Sequence, residues 1–469
     1  MKISVLQHDP VKHLPQRKGD ATPITRNLDP LAHPFARARE RTRALNAAKI
    51  EKMFSKPFVA SLEGHVDGVY TLATRAGELG TVTSGSGDGE IIVHDLAEQK
   101  HLVRVPGAHK GTVSAITYAE GPRLLSCGVD RTVKLWDTTP SDDSSAESSR
   151  APLNVFPGKA AFNAIDHHRT DQLFATASNI VQLWDETKST PVSNLTFPTS
   201  NETITALRFN LSESSVLATT GTDRTMTLYD IRTGKAERRL VMQMRANTLA
   251  WCPTFPTTLL LASEDHNLYT FDVRSLASPT QIYKGHIAAV MSCGWSPTGH
   301  EFVSGGWDRS VRIWKEGQGN SSMVYTGKRM QRVFATSYTQ DARFVMSGSD
   351  DGNVRLWKAR AAEKLGIVDG RERASKEYRD RLREIWKADR EVGRIERQQR
   401  IPAAIKKASE LKRTMLASRA VKEERRRKHT RAGASVPKAE RRKRPINLRI
   451  YFSVRSVWRI AKAFAWQTR

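Results

Sequence analysis

The sequence predicts an all-β body built from repeated units, carrying a basic N-terminal arm and a basic α-helical C-terminal extension. Two observations predict this. Strand-like runs end in an aromatic or equivalent residue at a nearly constant period, and the positive charge lies outside them. Of the formal net charge of +26, residues 359–469 hold 34 Lys/Arg against 13 Asp/Glu, a net of +21. Residues 1–57 hold 12 against 5, a net of +7, while 58–358 hold 29 against 31, a net of −2. A near-neutral body with cationic arms is the pattern of a protein that meets a polyanion with its extensions. The chain therefore divides into an arm over 1–57, a repeat body over 58–358, a basic helical module over 359–444 and an atypical tail over 445–469.

The repeat is carried by His94-Asp95, Trp136-Asp137, Trp184-Asp185, Tyr229-Asp230, Phe271-Asp272, Trp314-Lys315 and Trp357-Lys358. Successive first positions are 42, 48, 45, 42, 43 and 43 residues apart, the longest spacing absorbing a Ser/Asp/Glu-rich loop over 138–150. Six residues before each of them stands Asp88, Asp130, Ser178, Asp223, Asp265, Asp308 or Asp351. Asp suits that place because its carboxylate can take backbone N–H groups across a tight turn. Ser178 predicts a weaker turn in the third unit. Gly64-His65, Ala108-His109 and Gly285-His286 open their units. In the sixth unit His286, Ser304, Asp308 and Trp314 can form a buried hydrogen-bond chain. Such a set resembles a catalytic triad on paper, but its recurrence with the repeat makes it a structural network within a blade. Period and signature together resemble the WD-repeat family, which implies a seven-bladed β-propeller with four strands per blade. To close such a ring, Phe58–Leu62 is expected to form the outer strand of the last blade.

The remaining composition bears on what chemistry to expect. Cys127, Cys252 and Cys293 have no CxxC spacing and read as small apolar fillers of strands, not as a disulfide framework or zinc site. No phosphate loop, H-E-x-x-H or G-x-S-x-G motif occurs. The Gly-rich run 84–89 occupies a repeat turn, and Asp350-Asp351-Gly352 lacks the Glu that would complete a calcium loop. His167-His168 reads as an exposed loop pair. The expectation is a protein with no enzymatic activity, no cofactor and no metal. The N-terminus has no apolar leader core and no run reaches membrane-span length, so an intracellular, reducing setting is expected.

In the C-terminal extension, 361–391 has helical periodicity, with Tyr378, Leu382, Ile385 and Trp386 forming one apolar face. Glu372 to Lys376 and Glu377 to Arg381 are spaced for i,i+4 pairing. Gly393 is a candidate interruption. Pro402 suits the first position of a second helix containing Ile405, Leu411 and Met415. Two cationic clusters follow: Arg425, Arg426, Arg427, Lys428 and Arg431, then Arg441, Arg442, Lys443 and Arg444. Solvated ion-pair faces account for such a pattern over 361–400 but not over 425–444, where cations outnumber carboxylates. An import signal and RNA backbone contact both fit there, and they are compatible. The N-terminal arm adds Arg37, Arg39, Arg41 and Arg43 beside an expected helix over 41–54. Neither arm interleaves aromatics as a base-stacking platform does. In 445–469 apolar and aromatic residues crowd among Arg and Lys; a partner-binding tail is expected over a membrane-surface segment, and no membrane contact is expected.

Both arms also carry family motifs. Arg26-Asn27-Leu28-Asp29-Pro30, His33-Pro34-Phe35, the run 43–49 and Phe54-Ser55-Lys56-Pro57-Phe58 precede the first unit. Lys364-Leu365-Gly366, Glu372-Arg373, Tyr378 and Lys428-His429-Thr430-Arg431 follow the last. Together they resemble the WD-repeat and SOF domain-containing family over roughly residues 1–443; 445–469 departs from its pattern. The resemblance implies a nucleolar component of the small-subunit processome, associated with the U-three small nucleolar RNP. It implies work in 18S rRNA maturation and 40S assembly, with processome proteins meeting the propeller faces and pre-rRNA or snoRNA meeting the arms. Relatives also resemble substrate receptors of cullin-RING ubiquitin ligases, a class that docks through an aromatic-Asp-x-Arg motif. Tyr229-Asp230-Ile231-Arg232 and Phe271-Asp272-Val273-Arg274 fit it, which makes Asp230, Arg232, Asp272 and Arg274 the candidates for contact with a ligase adaptor.

Overall fold

The structure, a computed structural model, describes residues 35–139, 151–195, 203–431, 434, 436 and 439–445. The chain folds as two compact units. One comprises 58–359 with 400–469, the other 1–57 with 360–399.

In the first unit, seven four-stranded antiparallel sheets follow one another as blades. Six use consecutive strands; blade one, for example, is Val69–Thr74, Thr81–Ser86, Ile91–Asp95 and Lys100–Val105. The seventh is completed from far upstream. Phe58–Leu62 pairs antiparallel with Val354–Lys358, with Ala60 opposite Leu356 and Leu62 opposite Val354. The ring thus closes as the sequence suggests. Its logic is burial: Ala60 and Leu62 pack with Val69, Val82, Met346 and Leu356, sealing the seam between blades seven and one.

Blade interiors explain the strand sequences. Second strands are buried on both faces, as in Arg123–Gly128, because a neighbouring blade covers each side. Outer strands alternate or are exposed, as Lys100–Val105 is apart from Val103 and Val105. Aromatics fill the seams: Phe302 stacks on Trp314 with centroids 6.2 Å apart, beside Tyr283 and Cys293. Cys127 and Cys293 lie in strands; Cys252 sits one residue past Ala246–Trp251. All three are buried.

The tight turns have a shared chemistry. Asp130, Asp223, Asp265 and Asp308 accept the backbone N–H two residues on, at 3.1, 3.0, 3.1 and 3.2 Å. The intervening residues Arg131, Arg224, His266 and Arg309 take positive φ of 62°, 63°, 70° and 60°. At the equivalent place blades one and seven use Gly89 and Gly352. Ser178 does the same work with its hydroxyl on Ile180, at 3.4 Å.

The second unit is helical. Helix α1 (Ala36–Met53), α2 (Gly370–Ile385) and α3 (Arg390–Arg397) pack Ala44, Ala48, Leu382 and Val392 into a small core, flanked by Leu45, Trp386 and Ile395. Several expectations are corrected here. Helix α2 begins at Gly370 rather than Ala361. The interruption falls at 386–389, where Asp389 caps α3 through the Glu391 N–H; Gly393 lies inside α3. Of the expected apolar face Leu382 is buried, but Tyr378 and Ile385 are exposed. Glu372 is held by Lys364 at 2.7 Å, not by Lys376. Helix α1 starts at Ala36, five residues before the expected Arg41.

The 400–445 stretch returns to the propeller unit. Pro402 occupies the cap of α4 (Ala403–Lys428), one place before its first residue. This helix buries none of its residues. A single turn, α5 (Glu440–Lys443), follows. No helix among the described residues is long and apolar enough to cross a membrane. Apart from Pro445, the 445–469 tail lies outside the described residues, as does most of the 138–150 loop.

Candidate nucleic-acid and protein interfaces

In blade six, His286 Nδ1 lies 3.0 Å from Asp308 Oδ2 and its Nε2 lies 2.7 Å from Ser304 Oγ. Trp314 Nε1–H donates to the same hydroxyl at 2.7 Å. Burial lowers the His286 pKa, so the ring is held neutral at physiological pH. Burial alone would raise the Asp308 carboxyl; His286, Arg312 and Ser310 outweigh it and hold it well below the usual carboxylate range. Ser304 is fully buried and saturated by its two neighbours, so it cannot reach a substrate. Blade two repeats the set, with His109 at 3.0 Å from Asp130 and 2.7 Å from Ser126, and Trp136 at 2.8 Å from Ser126. In both blades the arrangement ties the entering loop to the tight turn.

Blade one departs from it. His94 replaces the Trp and lies 2.8 Å from Ser84 Oγ, which also meets His65 Nε2 at 2.7 Å. Burial, then the neighbouring His65 and His101, push the His94 pKa down to about 3. His65, Asp88 and Glu90 bring ligand-type atoms within 4.8 Å of one another. Glu90, however, is already engaged by Arg104, and the trio is the blade-one form of the His–Asp turn pairing. The His167-His168 pair is corrected: His167 ends a strand against Glu186 at 2.8 Å, and His168 is buried beside Phe209.

The structure separates the two cationic clusters. Arg425, Arg426, Arg427 and Lys428 form the last turn of α4, where cations favour the helix dipole. Lys428 pairs with Glu424 at 3.1 Å and Arg427 caps the Glu423 carbonyl at 3.3 Å. Arg425, Arg426 and Arg431 are exposed, with no ion-pair partner among the described residues. The second cluster is a strap on the propeller. Arg444 is held by Asp265 at 3.0 Å and Glu440 at 3.3 Å, and its carbonyl accepts the Gln243 N–H at 3.2 Å. Glu440 pairs with Lys284 at 2.5 Å, Arg441 reaches Gln281 at 3.2 Å and Lys443 reaches Glu423 at 3.0 Å. Pro445 bridges to Met242. Upstream, Lys412 of α4 donates to the His286 carbonyl at 3.0 Å. Of the second cluster Arg442 is exposed, with no ion-pair partner among the described residues.

In the N-terminal arm the arginines also serve packing. Arg41 engages Asp389 and, at 3.1 Å, Glu391; Arg43 reaches the Tyr378 hydroxyl at 3.2 Å; Arg37 lies 6.0 Å from the Trp386 ring centre. Sequence reasoning missed these partners, and the signal was faint: only the acidic pair Asp389 and Glu391 beside an apolar turn hinted at them.

The two aromatic-Asp-x-Arg motifs sit at the ends of third strands, opposite the tight turns. Tyr229 and Phe271 are buried. Asp230 accepts the Arg232 N–H at 3.0 Å, and Asp272 takes the Arg274 N–H and guanidinium at 3.0 Å each. The Arg232 and Arg274 side chains are 80% and 76% exposed. Arg238 joins the two blade ends by donating to the carbonyls of Val273 and Arg274, at 2.7 and 2.8 Å.

Comparison with known proteins completes the picture. Residues 359–446 match the Sof1-like domain, and 100–137, 277–315 and 319–358 match the WD domain, G-beta repeat. The chain is 39% identical over 433 residues to Protein SOF1 of Saccharomyces cerevisiae, covering 88% of each chain. It is 40% identical to DDB1- and CUL4-associated factor 13 of Danio rerio, over 87% of this chain and 90% of that one. With the Homo sapiens protein of the same name it shares 38%, over 86% and 90%. The crystal structure of the WD40 beta propeller domain of Doa1 matches with a TM-score of 0.55 at 21% identity, over 64% of this chain and 96% of that one, a likeness of fold. A propeller closed by its own upstream strand, joined to a Sof1-like extension and matched along most of the length of these relatives, places the chain in the family of SOF1 and DDB1- and CUL4-associated factor 13.

Proposed function

We propose that this protein is a non-catalytic scaffold of the nucleolar small-subunit processome, acting in pre-rRNA processing, 18S rRNA maturation and 40S subunit assembly. The observation that carries the reading is the exposed cationic end of α4. Arg425 and Arg426, on a helix anchored to a near-neutral propeller, and Arg431, three residues past its end, stand free of carboxylates. Guanidinium groups so presented neutralise phosphates and release counterions without reading sequence. The propeller faces are then the protein-docking surfaces, and the same cationic turn serves nuclear import. Depletion followed by gradient sedimentation of nuclear extract tests this. The protein should travel with pre-ribosomal particles, and its loss should cause 18S precursors to accumulate; normal precursors and no co-sedimentation would refute it.

A second reading has its own observation. The names of the vertebrate relatives associate those proteins with DDB1 and CUL4, and Arg232 and Arg274 project from adjacent blade ends with their backbones fixed by Asp230 and Asp272. A substrate-receptor role in a cullin-RING ligase would use these two side chains. Arg232→Ala with Arg274→Ala should then abolish co-purification of the ligase adaptor and spare pre-ribosome association. An unchanged pull-down removes this reading and leaves the first untouched.

A further inference from the structure

The tight-turn end of the propeller carries a feature that the proposed function does not use. Trp307, the residue before the blade-six turn Asp308, is 44% exposed. Its backbone is fixed by an N–H bond to the Ala289 carbonyl at 3.0 Å. The Arg332 guanidinium lies 4.6 Å from the ring centre. Across the next seam, Tyr70 of blade one is 39% exposed and stacks on Phe334, with centroids 4.7 Å apart and planes 12° from parallel. Phe334 is two residues from Arg332 on the first strand of blade seven. A row of aromatic rings and a guanidinium thus runs over blades six, seven and one at the end of the ring where the tight turns lie.

The charges beside this row are asymmetric. Arg309 follows Asp308 in the left-handed conformation and is exposed, as are Lys328 and Arg329 in the loop leading to Arg332. None of the three has an ion-pair partner among the described residues. The nearest carboxylate in sequence, Asp308, is consumed by His286 and Arg312. Asp350 and Asp67 lie at the Tyr70 end: Asp350 faces Gly68, and Asp67 caps the Gly68 N–H at 2.7 Å. Arg332 thus lies over the Trp307 ring and Arg309 stands two residues from it in sequence, while Asp67 and Asp350 lie beside Tyr70, the Asp350 N–H bonding the Arg332 carbonyl at 2.9 Å.

We propose that Trp307, with Arg332, Arg309, Lys328 and Arg329, is a binding site for single-stranded RNA, stacking one unpaired base on the indole and holding the flanking phosphates on the cations. Stacking needs a flat π face together with regularly spaced anions, and an unpaired strand supplies both. A duplex hides its base faces, and an acidic peptide offers charge but no obligate flat partner. The site rests on the RNA-contact reading above but differs from it in chemistry. The α4 cluster grips phosphate on either single or double strands, whereas Trp307 discriminates between them.

Fluorescence anisotropy with the full chain tests the site, using a 12-nucleotide oligouridylate and an RNA hairpin as probes at fixed salt. Trp307→Ala should weaken oligouridylate binding about tenfold and leave the hairpin unchanged, while Trp307→Phe should keep most of the affinity. Arg425→Ala, Arg426→Ala and Arg427→Ala combined should weaken both probes, with a shallower salt dependence. If Trp307→Ala leaves oligouridylate binding intact while the triple variant weakens it, this site is refuted and the α4 reading stands. If neither variant has an effect, both fall. An Asp/Glu-rich peptide whose binding needs Trp307 when RNA binding does not would make this a peptide site and overturn the proposal. Should Trp307→Ala fail to fold, 4-thiouridine crosslinking of the unaltered chain decides. An adduct within 300–312 supports the site, and adducts confined to 425–444 overturn it.

Discussion

His94 stands where the other six blades place an aromatic ring, and its environment turns a packing position into an acid-sensitive one. Unfolded, its imidazole protonates near pH 6.5; folded, it does so only near 3, because burial and two neighbouring histidines oppose the charge. Between those values the unfolded chain binds more protons, so stability must rise with pH across that window and fall as pH drops. His94→Gln should flatten the acid limb of stability, measured by urea unfolding from pH 7 to 5, by up to about 1.4 kcal/mol per pH unit. An unchanged slope would mean the ring is not buried neutral. At Asp308 the sign agrees but the mechanism differs: its depressed carboxyl stabilises the fold above the ordinary Asp range, and that stability is lost on acidification through the folded value. Asp308→Asn strands His286 and Arg312, so a loss of about 3 kcal/mol is expected in denaturant melts at pH 7. Much of this chemistry was legible at this scale, since His286, Ser304, Asp308 and Trp314 meet as their spacing suggests. The blade-one substitution was visible as a letter; its effect was not, because that depends on His65 from the entering loop and His101 from the outer strand converging on it.

The tight turns show how local sequence and neighbouring elements divide the work. Asp fixes the turn, but the next residue must adopt positive φ, and what it may be is set by the adjacent blade. A Cβ on Gly89 would come within 2.1 Å of the His109 carbonyl, whereas Arg131 meets no such obstacle in the same place. Gly89→Ala should therefore cost at least about 2 kcal/mol, while Arg131→Gly should stay within about 1 kcal/mol of the parent. Equal effects in thermal or chemical melts would show that the seam, not the turn, gives way. Helices were read less well. The period located α2 and its buried Leu382, but the start at Gly370 and the break at Asp389 depend on packing against α1, more than 300 residues upstream. Likewise the arm arginines looked available for RNA because Asp389 and Glu391 are distant in sequence. The 441–444 cluster looked free because nothing local to it reveals Asp265.

At the scale of the whole molecule, residues that end at Pro57 and those that begin at Phe58 belong to different compact units, and truncation can separate their contributions. Removing 1–57 keeps the closing strand but deletes α1, leaving Leu382 and Val392 without Ala44 and Ala48. Removing 1–62 also strips Ala60 and Leu62 from the seam between blades seven and one and exposes the edge of Val354–Lys358. An unpaired edge, beside a seam that has lost Ala60 and Leu62, invites opening and aggregation. The chain 58–469 should keep the propeller melting temperature of the full protein within a few degrees, because the closing strand and the seam residues it buries are all retained. Trypsin should nonetheless cut it rapidly within 370–397, where the helices have lost their core. The chain 63–469 should lose cooperative melting and expose 333–358 to hydrogen exchange ahead of the other blades. If 63–469 instead melts like the full chain, closure does not reside in Phe58–Leu62, and the seams between blades hold the ring by themselves.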